Sequence, residues 1–431
     1  MSVPKLRFPD FRDAGEWEIK EFSKYIVLYR GSSPRPIQNY LSIDSSGVNW
    51  IKIGDTKSAK NFVISQVEEK ITPEGAKKSR KVNVGELILA NSMSYGKTYQ
   101  VAIDGYIYDG WFVLRDYEKY FDKQFLLQLL NSEYMQSQYE RFSAGGIVQN
   151  ISSDIVYKTV LPHTLLKEQK KIADCLSSID DRITAETQKL DTLKAHKKGL
   201  MQQLFPAEGE TLPKLRFPEF HKSGEWEEKS IQDLIDKKII IGHLDGNHGA
   251  LYPRAEEFSK EGVPYISAND FITGHIDFNR CKYISVQRAL QFKKGVAKDG
   301  DILFAHNATV GPVAKLSTNF QFVILSTTAT YFRCNQKYLI NDFLKFALSS
   351  PSFVKQYTSV MSQSTRNQVP ITTQRKFNLQ IPSIQEQQKI ADCLTSINEA
   401  IAAQSQAIDL LKLHKKGLMQ QLFPSVEEVR R

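Results

Sequence analysis

A chain of 431 residues, 41% hydrophobic and 24% charged, is long enough for two or three domains with buried cores and is not a disordered polymer. No apolar run approaches the roughly 18 residues of a membrane helix, and the opening MSVPKLRFPDF lacks the layout of a signal peptide, so a soluble cytoplasmic protein without a membrane partner is expected. The formal charge of +9 points to a polyanionic partner, while Cys175, Cys281, Cys334 and Cys393, with no CxxC spacing, are expected to be small buried hydrophobes rather than metal ligands or disulfides.

The first recognisable string is PKLRFPDFRDAGEWE from Pro4, which returns as PKLRFPEFHKSGEWE from Pro213, an offset of 209. Residues 1–163 read as a mixed α/β globular region, with short β-rich runs at NWIKIGDTKS (49–58), VGELILANSMSYGK (84–97) and YIYDGWFVLR (106–115). The loop that closes the middle run carries Asn91, Ser92, Ser94, Tyr95 and Lys97, and SAGGIVQN (143–150) adds Gln149 and Asn150. Small polar side chains of this kind can bond base edges, as Asn and Gln do with adenine, so these are the candidate DNA-binding residues of the first half. Gly96-Lys97-Thr98 resembles the end of a phosphate loop, but Asn91 stands where its first glycine would be, which argues against ATP binding there.

Residues 164–206 read as a long helix, preceded by Pro162 and ended by Pro206. Its apolar positions are Ile172, Leu176, Ile179, Ile183, Leu190, Leu193, Leu200 and Leu204, in alternating steps of four and three once polar Glu186 and Lys197 are counted. That period of 3.5 residues is the seam of a coiled coil, a strip too narrow to be a whole core. A link at 207–212 leads into a second mixed α/β region, 213–381. There GVPYISANDF (262–271), DGDILFAHNATVGPVAKL (299–316) and FVILSTTATYF (322–332) are the β-rich runs, and the stretch 299–305 aligns with 84–90. The matching loops carry His306, Asn307 and Thr309, then Gln363, Arg366, Asn367 and Gln368, where arginine adds a guanine-reading side chain. His243 and His248 in GHLDGNHG read as a turn rather than a metal site.

The second helix, 382–424, with Pro382 before it and Pro424 at its end, copies the first at an offset of 218, with 27 of 39 positions identical from Glu386 to Pro424, and a tail covers 425–431. Its seam falls at Ile390, Leu394, Ile397, Ile401, Ile408, Leu411, Leu418 and Leu422, with polar Gln404 and Lys415 in the same two slots. Near-identical helices in one chain are natural antiparallel partners, and their polar seam positions are expected to fix register. Charge divides along the same lines: residues 1–167 hold 22 basic and 19 acidic side chains (+3), and 213–385 hold 22 and 15 (+7). The shared helices are nearly neutral, so the positive excess lies in the divergent regions. No HExxH, GxSxG or EF-hand pattern occurs, nor an Asn-Pro-Pro-aromatic or Asp-Pro-Pro-aromatic run, so catalysis is expected to belong to a partner. The rivals are an enzyme with unfamiliar motifs and a coiled-coil scaffold without a DNA role.

The EQxKIADxL helix and its second copy, with PYISANDF and GDILFAHNATVG between them, resemble the specificity subunit of type I restriction-modification systems over essentially the whole chain. The resemblance implies an α/β protein of two globular target recognition domains joined by two long helices in an antiparallel coiled coil, a pseudo-two-fold internal repeat. It implies that each domain reads one half of a split double-stranded DNA target and that the helices set the spacer; the divergent interiors predict unlike half-sites and so an asymmetric target, with half-site centres expected about one helical turn apart, ~34 Å. It also implies two methyltransferase subunits that modify adenine N6 with S-adenosylmethionine and two restriction subunits driven by ATP and Mg²⁺, with no cofactor bound by this chain. The twice-presented His196, Lys197, Lys198 and His414, Lys415, Lys416 are expected to help dock the methyltransferase.

Overall fold

The computed structural model describes residues 3–92, 96–143, 150–246, 252–363 and 367–424. They form two compact units, Met1–Lys189 with Gln404–Arg431, and Leu190–Ala403. The two long helices, Leu166–Gln203 and Ile384–Leu422, therefore each contribute to both units.

In the first unit, one five-stranded sheet runs in the order Val27–Arg30, Trp111–Arg115, Leu87–Ala90, Thr98–Val101, Val63–Ile64. A second runs Leu41–Ser42, Glu69–Ile71, Val48–Ile51, Gly105–Ile107, Arg80–Val82. The run 106–115 thus supplies strands to both sheets, and only the first part of 49–58 is extended, since Ile53–Ser58 is a 3₁₀ helix. The second unit repeats the plan with a four-stranded sheet, Ile240–Asp245, Ala329–Cys334, Ile302–Asn307, Thr309–Lys315, and a five-stranded one, Phe258–Ser259, Lys282–Ile284, Val263–Ile266, Val323–Leu325, Val296–Ala297. His243 lies inside the first of these strands, so the expected turn is corrected there; His248 is outside the described residues. The cysteine expectation holds for Cys281 and Cys334, which are buried, and is corrected for Cys175 and Cys393, which are half-buried on the helices; all four are free thiols.

The two repeated strings are stitched together in each unit. Arg7 of the first KLRFP donates to both oxygens of Glu168, at 2.7 and 2.8 Å, and Arg216 of the second repeats this with Glu386 at 2.8 and 2.8 Å. A planar guanidinium meets a carboxylate in a two-pronged bond, and both carboxylates are almost fully buried. The neighbouring glutamines act alike: Gln169 accepts from Asp122 N and donates to Tyr120 O and Thr164 O, and Gln387 accepts from Ile340 N and donates to Tyr338 O and Pro382 O. Buried polar groups need such partners, which is a physical reason for the EQ pair to recur.

Helix packing is antiparallel within each unit. In the first, Lys415 bonds Asp180 at 2.7 and 2.8 Å and Gln404 bonds Glu186 at 2.7 Å, so rising numbers on one helix meet falling numbers on the other. Leu422 and Phe423 join Ile172, Leu176, Trp17 and Phe125 in the first core. In the second, Leu204 and Phe205 join Ile390, Leu394, Trp226 and Phe343. Every predicted seam residue, from Ile172 to Leu193 and from Ile390 to Leu411, is buried or half-buried.

Candidate nucleic-acid interface

In each unit the structure brings the two predicted loops together. Ser92 forms an antiparallel bridge with Asn150, and Asn307 forms one with Gln368. The residue before each bridge is tied in the same way: Ile151 N donates to Asn91 O at 2.7 Å, and Val369 N donates to His306 O at 2.7 Å. Ala308 N also donates to Asn367 O at 3.0 Å, with Ala308 itself in the left-handed region at φ 63°. The first half's GKT is followed by the strand Thr98–Val101 rather than by the helix a phosphate loop requires.

The predicted residues divide by exposure. Asn150, Asn367 and Gln363 are exposed, and Ser92, Asn307, Thr309 and Gln368 are half-exposed at the paired loops. Asn91 and His306 are corrections: they are 4% and 5% exposed, and equivalent in the two units, so they hold the loops from beneath. The Asn91 amide donates to Asp109 O at 2.9 Å, which leaves it no route to a base edge. Lys97 is also set back. Burial pushes its pKa down against the opposing pull of Glu140, and it lines a cleft of about 810 Å³ with Lys5, Lys412, Lys416 and Phe423. Ser94, Tyr95, Gln149 and Arg366 lie outside the described residues.

Sequence reasoning missed the arginines beside the first loop. Asp109, whose carbonyl holds Asn91, accepts from Ser33 Oγ at 2.7 Å and pairs with Arg35 at 3.5 Å, while Arg30 Nε donates to its carbonyl at 3.3 Å. Arg80 Nε in turn donates to Arg30 O at 2.6 Å. The Arg35 side chain is 82% exposed. Arg30 and Arg35 thus meet at Asp109, the residue that holds Asn91, with Arg80 bound to the Arg30 carbonyl, and guanidinium groups of this kind suit phosphates. The string YRGSSPRP (29–36) carries two of them, but nothing local tells that it folds back to residue 109.

Beneath the second loop, buried Gln374 donates to Thr330 Oγ1 at 3.1 Å and to Val369 O at 2.9 Å, and its Oε1 lies 3.2 Å from His243 Nε2. That network anchors Val369, the residue that follows Asn367 and Gln368 in the paired loop. Among the described residues no group of three or more His, Cys, Asp or Glu side chains is placed to hold a metal, and no helix is long and apolar enough to cross a membrane.

A family model for the type I restriction modification DNA specificity domain matches residues 15–195 and again 223–413. The chain is 22% identical over 424 residues to the specificity subunit of the type I restriction enzyme MjaVIII of Methanocaldococcus jannaschii, covering 97% of this chain and 93% of the relative. It is 22% identical over 262 residues to the EcoBI specificity subunit of Escherichia coli, covering 56% and 52%. Among solved structures, the type I restriction-modification S subunit from M. genitalium superposes with a TM-score of 0.56 at 15% identity, covering 98% of this chain and all of that one. A chain from a study of complex assembly in a type I R-M system gives 0.58 at 18% identity, covering 95% and 97%.

Proposed function

The chain belongs to the type I restriction modification DNA specificity family, and we propose that its two units read the two unlike parts of one split duplex target. Specificity subunits are the non-catalytic, DNA-recognising members of these systems. One observation supports the finer reading: two regions of divergent sequence each fold so that the same pair of loops meets in a short bridge, Ser92 with Asn150 and Asn307 with Gln368. Shared backbone with different side chains at the tip is what two readers of different sequences require. Asn150, Asn307, Asn367 and Gln368 are the side chains assigned to base edges, and Arg30, Arg35 and Arg80 are assigned to phosphates.

Two methyltransferase subunits, carrying S-adenosylmethionine for adenine N6 methylation, are assigned to the repeated helix surface, and two restriction subunits using ATP and Mg²⁺ complete the complex in the cytoplasm. His196, Lys198, His414 and Lys416 are exposed and suit such docking. Lys415 is engaged with Asp180 and Lys197 is half-buried, so neither is assigned to the partner. The test is a selection from random-sequence duplex DNA with the chain co-expressed with the methyltransferase subunit from its own locus. Two short, different motifs at one fixed spacing are expected. A single unbroken motif, or only salt-sensitive background, would overturn the reading.

A further inference from the structure

The long helices are copies displaced by 218 positions, and Gln404 and Glu186 are themselves 218 apart. At this point of the seam, therefore, a residue faces its own repeat equivalent. Gln404 is only 8% exposed, and its amide donates both to Glu186 Oε2 at 2.7 Å and to Glu186 O at 3.0 Å. Lys415 with Asp180 is a different kind of pair, because its members have other residues, Lys197 and Asn398, as their equivalents.

We propose that the Glu186–Gln404 pair selects the partner of each long helix, so that the first copy accepts the second and rejects another chain's first copy. The reason emerges from an exchange in which two unlike helix pairs become one first-with-first pair and one second-with-second pair. The apolar seam discriminates little, since Ile172, Leu176, Ile179, Ile183 and Leu193 have identical equivalents in Ile390, Leu394, Ile397, Ile401 and Leu411, and Leu190 differs from its equivalent Ile408 by aliphatic branching alone. The Lys–Asp position does not discriminate either. The antiparallel register that sets Lys415 against Asp180 sets Lys197 against Asn398, so before exchange two lysines stand opposite Asp180 and two opposite Asn398, and afterwards the same is true, with Lys197 and Lys415 interchanged. Of these seam positions, it is the self-facing one that fails to balance. Two Glu–Gln pairs become one Glu–Glu and one Gln–Gln, and a carboxylate that had an amide donor meets another acceptor of the same charge in a seam half shielded from water. A single polar seam residue that decides partner choice in this way is a known property of paired helices in general.

The intact chain allows each like-with-like contact to be installed one at a time. Q404E recreates the Glu–Glu contact, E186Q recreates Gln–Gln, and E186Q/Q404E reverses the native pair. In thermal unfolding Q404E is expected to lower Tm by about 3 to 6 °C. E186Q should stay close to the wild type, and the reversed pair should recover at least most of the loss. Recovery matters because the reversed protein still carries a glutamate at 404, so a simple cost of placing charge there would persist in it. A Q404E protein as stable as the wild type, or a reversed protein no better than Q404E, overturns the inference. If Q404E does not fold at all, the reversed pair alone decides, by folding or failing to fold.

Discussion

His243 is the residue whose role changes most between a reading of its neighbours in the chain and a reading of its neighbours in space. Glycine, aspartate and asparagine around it signal a turn. Instead the strand Ile240–Asp245 shifts register between Ile240 and Gly242, so that Ile241 is exposed and His243 points inward at 4% exposure. Because the Gln374 amide nitrogen donates elsewhere, its Oε1 is the acceptor and His243 Nε2 carries the proton. Burial pushes the imidazole pKa from 6.5 down to about 4; Arg375 and His306 add to this, and the Gln374 bond and Asp245 oppose it. The unfolded chain therefore takes up a proton near 6.5 that the folded chain refuses until about 4. The contribution to stability is complete above pH 6.5, falls as pH falls through that window, and amounts at most to about 3 kcal/mol. Denaturant titrations of the wild type and of His243→Gln across this range should show a shallower decline in the variant. Equal slopes would mean that another group titrates there. Asn91 and His306 were likewise misplaced as base contacts, since residue type and loop position are visible in a sequence but burial is not.

At the scale of elements, the heptad made the long helices and their seam legible, because a period of 3.5 residues leaves a narrow strip that only another helix can cover. It did not show where the ends of those helices go. Leu204 and Leu422 continue the periodic series, yet with Phe205 and Phe423 they enter globular cores, where Phe423 packs 5.5 Å from Phe125 and Phe205 packs 5.7 Å from Phe343. Each unit is thus completed by the helix end of the other repeat, which explains the recurrence of LFP better than a surface role does. The Arg7–Glu168 and Arg216–Glu386 pairs were equally hidden, since they join strings 161 and 170 residues apart. Phe423→Ala should cost about 3–5 kcal/mol by opening a cavity. Although the change lies near the chain's end, amide exchange should accelerate in Lys123–Leu130 of the first unit and not in Ile302–Asn307 of the second. Phe205→Ala should give the opposite pattern. Acceleration in both units from either change would refute this assignment of the helix ends.

At the scale of the whole molecule, duplication with divergence is a statement about independence. The repeated strings carry the buried Arg–Glu pairs, the glutamine bridges and the helix ends, all of which tolerate little change because each satisfies a buried group. The interiors carry the charge excess, +3 and +7, and the loops whose side chains face solvent. If the units read DNA separately, damage to one should remain local in the target. Asn367 is exposed at the paired loop of the second unit, its carbonyl already engaged by Ala308 N. Asn367→Ala should therefore preserve the fold and remove at most one or two base-edge bonds, worth about 1–3 kcal/mol of discrimination, or roughly 5- to 150-fold. Repeating the random-duplex selection with this variant should relax one or two positions in one half of the target, leaving the other half and the spacing as they were. The salt dependence of binding should be unchanged, because no phosphate contact is lost. Relaxation spread across both halves, or a uniform loss of affinity with a shallower salt slope, would show that Asn367 acts through the backbone of DNA rather than through a base.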